Sequence, residues 1–143
     1  MKIIIALGLV FIFSIICNAS QYAIYNELSD GTRYTFEVST GAPDHWNSEK
    51  DENPPLSAKK EKDIATKFME TIPSHKDFIG WEVDNISLNL MSKGENKEEE
   101  WIYDILFTGK TKPVGVYMYM FPRFNVMVRL DGSIPKPKIE NNK

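Results

Sequence analysis

Thiols, imidazoles and paired carboxylates are what most catalytic and metal sites are built from, and this chain holds few of the first two. Its 143 residues include one cysteine, Cys17, and two histidines, His45 and His75. Cys17 ends the apolar run Ile3–Ile16 within the stretch SIICNAS, and it is a nucleophile only if it stays on the working protein. His45 follows Asp44, with Glu49, Asp51 and Glu52 close behind, and imidazole with carboxylates can ligate zinc or calcium. The spacing matches no metal loop such as Asp-x-Asp-x-Asp-Gly, so a charged surface loop is the expectation. His75 stands beside Ser74 in Pro-Ser-His-Lys-Asp. Side chains adjacent in sequence rarely face one another as nucleophile and base, which favours an exposed turn histidine. There is no Gly-x-Ser-x-Gly elbow, phosphate-cradling glycine loop or dinucleotide fingerprint. The sequence predicts a non-catalytic chain with no metal and no cofactor; the rival from the enzyme class is a small hydrolase using His45 or His75.

Binding is the other chemistry a side chain offers. In Val-Tyr-Met-Tyr-Met-Phe-Pro-Arg-Phe, residues 116–124, Val116, Met118 and Met120 share one face of an extended segment. Tyr117, Tyr119 and Phe121 share the other. Ile102 and Leu106 likewise point away from Trp101, Tyr103, Ile105 and Phe107. One helix covers one face of a sheet, so the second face is expected to carry these apolar groups unburied. Aromatics and methionine favour contact surfaces, so the candidate binding residues are Tyr117, Tyr119 and Phe121, with Arg123 at the rim. The partner would be another protein or a second copy of the chain. Alternatively, the loop 41–55 with Trp46, or the residues before Tyr34, fold over that face. Glu98, Glu99 and Glu100 point in successive directions and read as solubilising a hairpin rather than sharing a cation.

Twenty acidic residues against 17 basic ones give a formal charge of −3. Nucleic acid is thereby a poor partner, since no clustered basic surface is present to displace its counterions. The 14-residue run Ile3–Ile16, preceded by Lys2, is shorter than the roughly 20 residues a spanning helix needs. It fits the apolar region of a secretory signal, and Cys17-Asn18-Ala19 offers small residues for cleavage after Ala19. Lipidation of Cys17 would favour a small residue before it, where Ile16 is bulky; lipidation and an uncleaved membrane anchor remain the alternatives. The expectation is a signal peptide at 1–19 and a secreted or periplasmic mature chain, without a membrane segment, at 20–143. That mature chain would hold no cysteine and carry a charge near −4, with 16 basic residues against 20 acidic ones.

Any site must be positioned by the elements around it. Tyr34, Phe36 and Val38 alternate in a strand launched by the turn Ser29-Asp30-Gly31. A long polar loop, 41–55, follows. Ser57 is the N-cap of a helix whose stripe is Ile64, Ala65, Phe68, Met69 and Ile72, ended by Pro73. Trp81–Leu90 is a strand whose alternation changes phase at Asp84-Asn85, the mark of a bulge. The run 92–100 connects it to a strand at Trp101–Phe107. Further strands are expected at Val114–Phe121 and from Phe124 to Leu130, closed by Asp131-Gly132. An extended, solvated tail fills 135–143. The fold class is therefore a single α+β domain, one amphipathic helix packed on a bent antiparallel sheet of about four strands.

That order resembles the cystatin-type architecture, and Phe124-Asn-Val-Met-Val-Arg-Leu-Asp-Gly-Ser-Ile resembles the closing strand and turn of PepSY domains. The latter resemblance implies a small exported module that modulates a peptidase. Cystatin inhibitors carry Gln-x-Val-x-Gly and Pro-Trp at their hairpins. The corresponding turns here are Ser-Lys-Gly-Glu-Asn-Lys and Thr-Gly-Lys-Thr-Lys-Pro, so a cystatin-like inhibitory mechanism is not supported.

Overall fold

The computed structural model describes residues 21–28, 30–39, 46–73, 78–93, 99–111 and 122–141. Within them, the alternating segments become strands and the apolar stripe becomes the helix. The order is β1 (Gln21–Glu27), β2 (Thr32–Ser39), α1 (Ala58–Met69), β3 (Phe78–Lys93), β4 (Glu99–Thr111), β5 (Arg123–Arg129) and β6 (Lys138–Asn141). The strand expected at Val114–Phe121 lies outside the described residues.

Helix and antiparallel strands agree with an α+β class, but the expected single sheet of about four strands does not form. The strands divide into two three-stranded antiparallel sheets, in the orders β1-β2-β6 and β3-β4-β5. The physical reason is that β2 finds partners on both edges. β1 returns antiparallel through the turn at Asp30-Gly31, where Gly31 takes a positive φ of 83° and its N–H donates to the carbonyl of Leu28. β6 adds on the other side, pairing Tyr34 with Ile139. All four β6 side chains are exposed, so no apolar alternation marks it in the sequence.

The bulge holds: the β3–β4 register shifts between Val83 and Asn85, and again at Phe78/Gly80 and Leu90/Ser92. Three irregularities bend a 16-residue strand, which lets it curve around the helix. The connection expected over 92–100 is shorter, because β3 runs on to Lys93 and β4 begins at Glu99.

α1 starts at Ser57, whose hydroxyl accepts from the Lys60 N–H at 3.5 Å. It ends at Met69, before Pro73, and a tighter turn follows in which Thr71 and Ile72 donate to the carbonyls of Phe68 and Met69. The helix lies on the face of the larger sheet formed by Trp101, Tyr103, Ile105 and Phe107 with Phe124, Val126 and Val128. Ala65 and Met69 are buried there. The smaller sheet joins the same core through Tyr34, Phe36 and Val38. Phe124 is the hub: its ring is 5.3 Å from Tyr34, 6.2 Å from Phe36 and 6.0 Å from Trp81, in edge-to-face arrangements. Phe36 reaches the helix at Phe68, 5.7 Å away.

A second, polar joint fixes the two sheets. Asn26 of β1 is buried. Its Nδ2 donates to the carbonyl of Asn125 at 2.9 Å, and the Asn125 N–H donates to its Oδ1 at 2.7 Å. One carboxamide thus satisfies both backbone groups that β5 turns away from β4. Asn26→Ala would leave that pair buried without partners, a loss of about 2 kcal/mol. A matching drop in the urea midpoint with an unchanged slope is the expected result.

Candidate functional site

A groove of about 560 Å³ lies between α1 and the β3–β4 ends. Its floor is Met69, Ile72, Trp81, Val83 and Phe107, and its charged rim is Lys62, Glu70, Glu82 and Lys110. The helix stripe supplies Met69 and Ile72, and strand alternation supplies Trp81 and Val83. Gly80 joins them in the lining with a φ of 145°, a backbone conformation that favours glycine. A Cβ built there would touch nothing within 4 Å.

The rim is electrically balanced. Lys110 Nζ lies 2.9 Å from Glu82, both well exposed, so the pair contributes little to stability. The hydroxyl in the lining, Thr66, already donates to the Lys62 carbonyl at 2.7 Å. No imidazole or thiol belongs to the described lining. A space of this size, apolar below and charged above, suits a drug-sized or peptide-sized apolar ligand.

The residues singled out in the sequence fall elsewhere. Tyr117, Tyr119 and Phe121 lie outside the described residues, as do Cys17, His45 and His75. Arg123 opens β5, exposed and opposite Thr108. The expectation that the second sheet face stays unburied fails for Ile102, which is 1% exposed, and Met127 beside it is fully buried. Arg129, opposite Ile102 in register, has its Nε buried as well. Asp104 on the same face accepts from Asn125 Nδ2 at 2.9 Å. Burial pushes its carboxyl above the ordinary range, partly offset by that bond.

Glu99 corrects another expectation. It does not solubilise a hairpin but is buried. Its Oε2 accepts from the Ser48 N–H at 3.2 Å, the Ser48 hydroxyl at 2.7 Å and Trp101 Nε1 at 3.1 Å. The Trp46 N–H donates to its carbonyl, and the Trp46 ring lies 5.4 Å from Trp101. The described part of the polar loop is therefore tied to the start of β4.

The ionisable group that sequence reasoning missed is Glu61. It is fully buried, and neither carboxylate oxygen has a hydrogen-bond partner among the described residues. Burial, then the neighbouring charge of Asp131, push its carboxyl up to about 7. Burial, then Glu61 itself, raise the Tyr103 phenol. The signal lay in the spacing: Glu61 stands four residues before Ala65 and eight before Met69, on the apolar stripe.

Among the described residues no group of three or more His, Cys, Asp or Glu side chains could hold a metal ion. No helix among them is long and apolar enough to cross a membrane. No protein-family model, curated protein or solved structure matches this chain.

Proposed function

We propose that the chain is an exported, non-catalytic binding module that holds an apolar segment of a partner protein in the groove between α1 and the β3–β4 ends. The observation that carries this reading is the groove itself: five apolar side chains line its floor, while Lys62, Glu70, Glu82 and Lys110 ring it. Burying apolar area on that floor supplies affinity. The rim charges select the approach and remain hydrated. A catalytic reading has less support, because the lining's hydroxyl is already engaged within the helix and general acid–base work needs held, titratable groups.

The test uses 1-anilinonaphthalene-8-sulfonate, an apolar aromatic anion, followed by two-dimensional NMR. Shifts should concentrate at Met69, the Trp81 indole and Val83. Thr66→Trp, placed on an exposed helix position at the rim, should weaken binding about tenfold by filling the groove, an effect of about 1.4 kcal/mol. Shifts elsewhere, or unchanged binding in a folded Thr66→Trp protein, would sink the reading.

A further inference from the structure

We propose that Glu61 is a proton-operated latch on α1: its neutral carboxyl keeps the first half of the helix seated, and its ionised carboxylate makes that half lift. Its consequence for ligand binding rests on the groove reading above; the latch itself does not.

The seat is tightly built. Glu61 lies in the first turn of α1, enclosed on the face that meets β4 and the turn after β5. Tyr103 of β4 donates its hydroxyl to the Leu56 carbonyl at 3.1 Å, just before the helix. In the turn, Gly132 has a φ of 85° and donates to the Arg129 carbonyl at 2.8 Å. A Cβ on Gly132 would lie 3.1 Å from Ile64 Cδ1 and 3.4 Å from Leu56 Cδ2, so helix and turn touch. The Glu61 oxygens are buried and unpartnered among the described residues.

The titratable groups acting on it from neighbouring elements are Asp131 and Tyr103. Neither stabilises a negative charge at neutral pH through a counter-charge. Asp131 is held below the ordinary range, chiefly by its hydrogen bond from Ser133, and so remains an anion that repels a second one. The smaller sheet meets α1 through apolar Phe36 and Phe68. An ionised Glu61 can therefore be hydrated only by moving outward, and the helix carries it. Lys62, the next residue, and Thr66 and Met69, one to two turns on, form the helical wall of the groove. The latch couples protonation to groove width.

Lifting restores an ordinary carboxyl, whose reference value is 4.5, against about 7 when seated. The population of the lifted state should then rise roughly seventyfold from pH 5 to pH 8, most of it below pH 7. Amide hydrogen exchange of residues 61–66, corrected for intrinsic base catalysis, reads this directly. We expect that loss of protection in the wild-type chain and a change below about threefold in Glu61→Gln. Flat protection in the wild type, or the same pH profile in Glu61→Gln, overturns the latch. Should the variant not fold, the side-chain carboxyl resonance of Glu61 decides: a midpoint near 7 with concerted α1 amide shifts supports it. A midpoint in the ordinary carboxylate range, about 4–5, overturns it. Anilinonaphthalene sulfonate binding at pH 5 and pH 8 separates the two readings. If exchange responds and the probe binds at neither pH, the groove reading fails and the latch survives.

Discussion

Phe124→Ala should lower the free energy of unfolding by about 4 kcal/mol and Tm by on the order of 15 °C. Phe124 is fully buried, and truncation leaves a cavity that the flanking strands cannot close, because β4 fixes β5 through seven register pairs. The ring also touches Tyr34 and Phe36 of the smaller sheet and Trp81 of β3. Those edge-to-face contacts add to the area lost. Their distribution predicts where the damage appears. Hydrogen exchange should accelerate most in β1 and β2, which reach the core through Tyr34 and Phe36, and least in the β3–β4 pairing. Phe124→Leu, which keeps most of the volume, should cost about 1.5 kcal/mol. Equal losses for the two variants, or uniform exchange across both sheets, would show that Phe124 is not the joint between them.

The strands of the larger sheet, the helix and the bulge were legible because each buries one regular stripe. Tyr34, Phe36 and Val38 were legible for the same reason. Their destination was not, since alternation marks a buried face without naming its cover. β6 escaped because Lys138–Asn141 buries no side chain and is held by backbone pairing with β2 and by exposed polar contacts such as Lys138 to Glu37. β1 escaped because Asn26 occupies the inward position after Tyr22 and Ile24, where its carboxamide bonds to the backbone of Asn125. The groove lies where two correctly read stripes, Met69-Ile72 and Trp81-Val83, diverge. No spacing within either stripe reports that gap. Glu99 was read as solvent-facing by residue type, and Glu61 was not singled out, although it kept the helical spacing of the buried stripe.

Glu61→Gln should make the protein more stable than wild type at pH 8, by about 3 kcal/mol, and little different at pH 5. The sign follows from where the proton sits. The seated carboxyl titrates at about 7 and the unfolded one at its reference value of 4.5, so between those values the folded chain binds the extra proton. Wild-type stability is full below pH 4.5, declines as pH rises through the window, and levels off above 7. Glutamine keeps the side chain's size but never ionises, so its stability has no such decline. If α1 lifts before the chain unfolds, the lifted state relieves part of the strain and the measured gap falls short of 3 kcal/mol. Two other groups bear on the slope. Asp131 is held low and completes its titration below the window, so it contributes repulsion but no slope. Asp104 is raised by burial and adds a smaller decline of its own, which Glu61→Gln retains. Asp131→Asn should lower the Glu61 midpoint without abolishing the effect, because burial precedes the Asp131 charge among its causes. Urea unfolding of the three proteins at pH 5, 6, 7 and 8 measures all of this together. Parallel wild-type and Glu61→Gln curves would mean that Glu61 ionises where it sits, hydrated and already exposed to water in solution.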